Sequence, residues 1–173
     1  DVLLQAINIL KDKPELKNIS FVIMGVDFGF EKEMFRLIDE LGVKEKVVVI
    51  RNPSRDDVIA AYSQSEFLVL PSRWELSPLT PLEGFAFKKP VISTDVHGIP
   101  STITDKENGI LVPNEDFHKL ANAILELITD KPKCERYGSS GYNLVQTECN
   151  SKSMVKKTLK LYEQIVNKQI MKK

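Results

Sequence analysis

Two carboxylates, Glu75 and Glu83, stand eight residues apart in the stretch Arg73-Trp74-Glu75-Leu76-Ser77-Pro78-Leu79-Thr80-Pro81-Leu82-Glu83-Gly84. The stretch follows the apolar run Phe67-Leu68-Val69-Leu70, which stops at Pro71-Ser72 as a buried parallel strand would. The strand therefore delivers a short loop carrying Glu75. Ser77 is read as a hydroxyl N-cap, with Pro78 at the first helical position, where its missing N–H costs nothing. Pro81 then removes the first internal hydrogen bond of that helix and leaves the N–H groups of Leu79 and Thr80 without helical acceptors. Free amides at the positive end of a helix dipole make an anion site. A strand end, a loop carboxylate, a phosphate-sized anion site and a second carboxylate outline a site for a nucleotide sugar.

The elements that must position these groups follow from periodicity. Residues 2–10 carry apolar side chains at helical spacing, with no strand or cap before them. Strands are expected over 19–24, ending at Gly25, over 47–50, followed by Arg51-Asn52-Pro53, over 91–94, and over 110–112. Helices are expected from Glu31 to Leu41, stopped by Gly42, and from Ser54, with Asp57 bonding back to the cap. Asn114 or Glu115 opens a further helix through Ile128. Tyr62 reads most simply as a core residue. The alternation of strand and helix predicts an α/β fold, a Rossmann-like parallel sheet with helices on both faces. In such a sheet ligands bind outside the carboxyl ends of the strands. Gly25, Arg51, Ser72 to Glu75 and Thr94 to Gly98 all fall there.

The chain has 173 residues, enough for one domain with one sizeable core. Lys plus Arg (24) balances Asp plus Glu (24), so charge gives no reason to expect a nucleic-acid partner. Cys134 and Cys149 fall in polar, helix-forming sequence without metal-ligand spacing and read as two unpaired thiols of a reducing compartment. Neither His97 nor His118 has ligand-type neighbours at metal spacing, and no metal site is assigned. No apolar run reaches membrane-spanning length, and the chain reads as cytoplasmic.

Three motifs in order carry a resemblance. They are Glu-x7-Glu, then Lys89-Pro90-Val91-Ile92-Ser93-Thr94-Asp95-Val96-His97-Gly98-Ile99-Pro100, then Glu107-Asn108-Gly109-Ile110-Leu111-Val112. The set resembles the carboxy-terminal, nucleotide-sugar-binding domain of retaining GT-B glycosyltransferases of family four. That family includes sucrose-phosphate synthases and mannosyl- and glucosyltransferases. The resemblance implies one half of a GT-B fold, with residues 1–150 as donor-binding domain lacking its first strand. It implies a donor that is a UDP-, GDP- or ADP-linked sugar, no further cofactor, and an amino-terminal GT-B domain as partner. In the family a first strand and a Gly-Arg…Lys-Gly loop, whose two cations hold the donor phosphates, precede the first helix. Neither is in this sequence, so the fragment alone is expected to be inactive.

Carried over residue by residue, Glu75 matches the carboxylate that holds the donor sugar and stabilises positive charge at its ring. Glu83 matches the residue that grips both ribose hydroxyls. Leu79 and Thr80 would bind the diphosphate, with Ser77 and Gly98 beside them. The family's Gly-Leu amide pair aligns with Pro78-Leu79, so one N–H is lost, and the Thr80 hydroxyl is a candidate replacement. Gly25 would face the donor sugar and phosphates, or mark only a turn. Backbone after the second strand, at Arg51 and Asn52, would read the base; Arg51 also reads as a solvated loop cation. His97 stands where the family has a small residue, as a candidate pocket wall.

Residues 151–173 carry seven lysines against Glu163. Met154, Thr158, Leu161, Tyr162 and Ile165 form an apolar stripe at helical spacing. In the family this crossover helix packs on the amino-terminal domain. A basic helix at an anionic, cytosolic membrane surface is the other reading, suited to a lipid-linked acceptor. The expected function is hexose transfer from a nucleotide-diphosphate sugar to a sugar or lipid-linked acceptor. An epimerase-like enzyme of the same fold and a non-catalytic binding domain are the alternatives. A phosphorylase would need a lysine for a Schiff base, and no lysine falls in the expected pocket.

Overall fold

In a parallel sheet, successive side chains alternate between faces, and here the alternation sorts the core into two clusters. The computed structural model describes residues 1–170, with side chains through Asn167. It contains β1 (Phe21–Gly25), β2 (Val47–Arg51), β3 (Leu68–Leu70), β4 (Val91–Thr94) and β5 (Gly109–Val112), all paired in parallel. The helices are α1 (Val2–Leu10), α2 (Glu31–Glu40), α3 (Arg55–Gln64), α4 (Thr80–Ala86), α5 (Phe117–Thr129), α6 (Lys131–Thr147) and α7 (Ser151–Ile170).

Val69, Ile92, Ile110 and Val112 face one way, into a cluster with Leu4, Ile7 and Leu10 of α1 and Leu120, Ile124 and Leu127 of α5. Leu68, Leu70, Val91 and Leu111 face the other way, against Phe85 of α4 and Leu144 of α6. Helices therefore cover both faces of the β3–β4–β5 block. The close seat of α6 depends on two missing side chains. A Cβ on Gly138 would meet the Lys88 carbonyl oxygen at 2.0 Å, and one on Gly141 the Phe85 ring at 2.3 Å. Phe85 lies two residues past Glu83 on α4, so this contact also fixes where that carboxylate emerges.

The expected parallel strands form two hydrogen-bonded blocks, β1–β2 and β3–β4–β5. Among the described residues β1 pairs only with β2, and β3 only with β4. Both blocks share the α1–α5 side of the core, through Phe21, Ile23, Val47 and Val49. The second face of β1–β2 is uncovered, with Val22 50% and Val48 47% exposed. α3 buries no residue, because its sequence lacks an apolar stripe.

Ser54 and Asp57 form the expected reciprocal cap of α3, and Gly42 ends α2 with φ +60°. α1 is capped after all, by Asp1 Oδ1 accepting the Val2 N–H at 2.7 Å. Asp116 opens α5, accepting the Lys119 N–H, while Glu115 turns left-handed at φ +59°. Cys134 lies in α6 and Cys149 just beyond it; both thiols are free. Burial pushes the Cys134 thiol up to about 11. α7 projects an apolar face into solvent, with exposure from 45% at Ile165 to 61% at Met154. The Lys168 side chain and residues 171–173 lie outside the described residues. No described helix is long and apolar enough to cross a membrane.

Candidate functional site

The Glu75 loop leaves β3 and is held by the neighbouring strand. Ser93 Oγ donates to the Leu70 carbonyl at 2.7 Å, and Thr94 Oγ1 to the Ser72 carbonyl at 2.5 Å. Both hydroxyls are buried, so each bond replaces solvent that neither group can reach. Ser72 Oγ then donates to Glu75 Oε1 at 3.0 Å, orienting a half-buried carboxylate. The other wall is the turn after β4. Gly98 N–H donates to the Glu75 carbonyl at 3.0 Å. A Cβ on Gly98 would lie 1.5 Å from the Leu76 carbonyl oxygen, so no other residue admits the loop there. His97, at φ +43°, stays exposed and tilts against the Trp74 ring, with centroids 6.1 Å apart.

The helix that follows begins later than its prolines suggested. α4 starts at Thr80, with Leu79 at the cap position and no side-chain cap. Ser77 is exposed and sits in a bend; Pro78 is buried but precedes the helix. The reason is steric: starting at Thr80 places Pro81 in the first turn, where its ring meets no preceding helical carbonyl and its missing N–H is no loss. The first amide to find a carbonyl is that of Glu83, donating to Leu79 O at 2.9 Å. The Leu79 and Thr80 N–H groups lie upstream of it, where helix geometry supplies no acceptor.

Glu83 has partners that the sequence did not reveal. Tyr62 Oη donates to its Oε2 at 2.8 Å, and Arg55 Nη1 to its Oε1 at 3.0 Å. Tyr62 is half-buried on α3 and stacks on Phe87 at 5.7 Å, so it is not simply a core residue. Burial, then the hydrogen bond to Glu83 and the Glu83 charge, push its phenol well above the ordinary value, keeping it a proton donor. The available signal was spacing: residues 55 and 62 are two turns apart on one helix face.

At the β1–β2 block, Gly25 is exposed, and a Cβ there would meet nothing within 4 Å. Packing therefore does not demand the glycine. Arg51 is engaged locally, pairing with Glu31 at 2.6 Å and lying over the Phe35 ring. Asn52 adopts φ +48° and donates its N–H to the Gly25 carbonyl. Asn108 and Gly109 are structural. The Asn108 side chain accepts from Thr104 N–H and donates to Thr102 O, and a Gly109 Cβ would strike Val91 O. Among the described residues no group of three or more His, Cys, Asp or Glu converges as metal ligands would.

The arrangement can do definite chemistry. Both oriented carboxylates lie in the segment that leaves the carboxyl end of β3, with the Leu79 and Thr80 amides between them in sequence, and α/β sheets bind ligands at such ends. The profile of the family described as "Glycosyl transferases group 1" matches residues 1–144. The D-inositol 3-phosphate glycosyltransferase of Corynebacterium glutamicum is 27% identical over 149 residues, 84% of this chain and 36% of that protein. The solved carboxy-terminal domain of the LpcC group 1 glycosyltransferase from Francisella tularensis superposes with TM-score 0.77 and 26% identity, covering 87% of this chain and 78% of that one. Anabaena HepE, solved with UDP-glucose, has the same fold with TM-score 0.82 and 18% identity, covering 94% of this chain and 44% of its own. The chain thus spans little more than a third of the curated relative and less than half of HepE. Its fold is one Rossmann-like half of a GT-B enzyme, and the chain belongs to the group 1 glycosyltransferases.

Proposed function

We propose that this chain is the donor-binding half of a retaining glycosyltransferase, moving a hexose from a nucleotide-diphosphate sugar to a sugar or lipid-linked acceptor. The observation that carries the reading is the pair of oriented, half-buried carboxylates, Glu75 on Ser72 and Glu83 on Tyr62, with the Leu79 and Thr80 amides between them. HepE, solved with UDP-glucose, makes UDP the first nucleotide to test.

In this reading Glu83 accepts from both ribose hydroxyls, a bidentate task suited to an ionised carboxylate. Leu79 N–H, Thr80 N–H and the Thr80 hydroxyl donate to the diphosphate, where negative charge grows as the glycosidic bond breaks. Glu75 accepts from the sugar hydroxyls and stabilises positive charge at the ring carbon. The acceptor hydroxyl attacks the face that the diphosphate leaves, which preserves configuration. Ser77 and Gly98 line the phosphate and sugar positions. Gly25 admits the donor close to the backbone, and the Arg51–Asn52 backbone reads the base. In this reading the transfer needs neither a metal ion nor a further cofactor.

Residues 1–150 form the donor domain in this account, and a further parallel strand beside β1 and β3 would join its two blocks. The acceptor and the phosphate-holding cations would come from an amino-terminal GT-B domain, so the chain alone would bind donor without turnover. The enzyme would work in the cytoplasm. Residues 151–173 would cross over to the partner domain. The exposed apolar face of α7, set opposite lysines, supports a second docking reading, an anionic bilayer. On that reading the protein sediments with phosphatidylserine vesicles and a chain truncated after Asn150 does not; equal sedimentation of the two would reject it.

The test of the main reading is ligand-observed NMR with UDP, GDP and ADP on the wild-type chain and Glu83→Ala. One nucleotide should bind, and the variant should bind it at least about tenfold more weakly, the effect of losing hydrogen bonds to a charged group. Equal binding by both proteins would remove Glu83 from the site.

A further inference from the structure

Glu83 could meet a ligand in many orientations, because a glutamate side chain has three torsions and its carboxylate plane turns freely. Here that freedom is already restricted. One oxygen accepts from Tyr62 Oη at 2.8 Å and the other from Arg55 Nη1 at 3.0 Å. The two donors are not equivalent. Arg55 reaches Glu83 from a side chain 65% exposed, as a solvent-screened ion pair. Tyr62 approaches from a half-buried ring that stacks on Phe87 at 5.7 Å with an interplanar angle of 26°. The ring cannot swing without breaking that stack, so its hydroxyl is a fixed point.

We infer that Tyr62 is the positioning residue of the Glu83 carboxylate, and that the Tyr62–Glu83 bond makes this site select a ribonucleotide over its 2′-deoxy counterpart. The inference rests on the donor reading above. A carboxylate oxygen has room for about two hydrogen bonds. With Tyr62 occupying one place on Oε2, the carboxylate plane is set while each oxygen can still accept one ribose hydroxyl. A plane held this way engages both hydroxyls of a vicinal diol together. A plane free to turn follows whichever single hydroxyl is present and discriminates less. Losing the 2′ hydroxyl then removes a bond that the fixed carboxylate cannot recover elsewhere. Arg55 is the outer, exchangeable partner; it neutralises the charge without setting the angle.

The experiment measures binding of UDP, GDP and ADP and of their 2′-deoxy counterparts to wild type, Tyr62→Phe, Arg55→Ala and Glu83→Ala, with melting curves for each. Phenylalanine keeps the stack on Phe87 and removes only the hydroxyl. Tyr62→Phe should weaken the bound ribonucleotide about tenfold and its deoxy counterpart no more than about twofold, collapsing the preference. Arg55→Ala should shift both by less than about threefold and keep the preference, as removal of a screened surface pair does. If Tyr62→Phe keeps the preference while Glu83→Ala abolishes binding, the positioning role is overturned and the donor reading stands. Equal weakening of both nucleotides with a lowered melting temperature would make Tyr62 structural and overturn the role. If Glu83→Ala binds as wild type does, or no ribonucleotide binds wild type, the donor reading falls and this inference with it.

Discussion

Gly25 closes β1 and Gly98 lies four residues past β4, and the two glycines answer to different constraints. Gly98 is held by contact: an added Cβ would sit 1.5 Å from the Leu76 carbonyl oxygen, and backbone cannot rotate out of the way as a side chain can. Gly98→Ala should therefore cost about 1–3 kcal/mol, as overpacking does. That corresponds to a fall of roughly 5 °C in thermal unfolding, because a domain of this size loses a few degrees per kcal/mol. The displaced loop carries Glu75, so donor binding should weaken in the same variant. Gly25→Ala meets open space and should leave the melting temperature within about 1 °C. Any loss of nucleotide binding in that variant would report a ligand against the backbone. An unchanged melting temperature for Gly98→Ala would show that the loop tolerates a wider gap than its geometry indicates.

At the scale of elements, α3 supplies both donors that hold Glu83, so its stability bears on the site. It buries no residue, and its best-defined local device is the Ser54–Asp57 box. Ser54 Oγ accepts the Asp57 N–H at 3.1 Å, and Asp57 Oδ2 accepts from the Ser54 backbone N–H at 2.9 Å. The Ser54 hydroxyl first, and its N–H second, hold the Asp57 carboxyl below its ordinary value of 3.8. A depressed carboxylate contributes stability that is complete above the ordinary value and is lost as pH falls through the folded one. Ser54→Ala should lower the melting temperature at pH 7 by about 2–4 °C, matching the ~1 kcal/mol of an N-cap. The deficit should shrink at pH 3, below the ordinary value, where the unfolded chain protonates Asp57 ahead of the folded one. A deficit that is the same at both pH values would mean the carboxylate is not coupled to the cap. α4 illustrates the opposite dependence. Its seven residues are positioned from outside, by the fit of Phe85 against Gly141, rather than by a cap of its own.

For the whole molecule, the two-block sheet and the exposed α7 set what the chain can lose. Among the described residues the core residues of both clusters lie within residues 2–145, and none comes from α7. Truncation after Asn150 should leave the melting temperature within about 2 °C, since exposed segments away from caps and cores contribute little. A large drop would show that α7 docks on the body in solution. The sequence by itself determined the order of strands and helices, their parallel sense, the α3 cap, and the eight-residue spacing of Glu75 and Glu83. These are local or periodic properties, written into neighbours within one turn or one pleat. Only the tertiary structure decided that α4 begins at Thr80, that the sheet divides between β1 and β3, and that Leu76 requires a glycine at 98. It alone brought Tyr62 and Arg55, 21 and 28 residues upstream, onto the Glu83 carboxylate. Such contacts depend on how whole elements dock. Docking is settled by side-chain volumes meeting across long separations, such as Phe85 against Gly141, which no window of neighbouring residues contains.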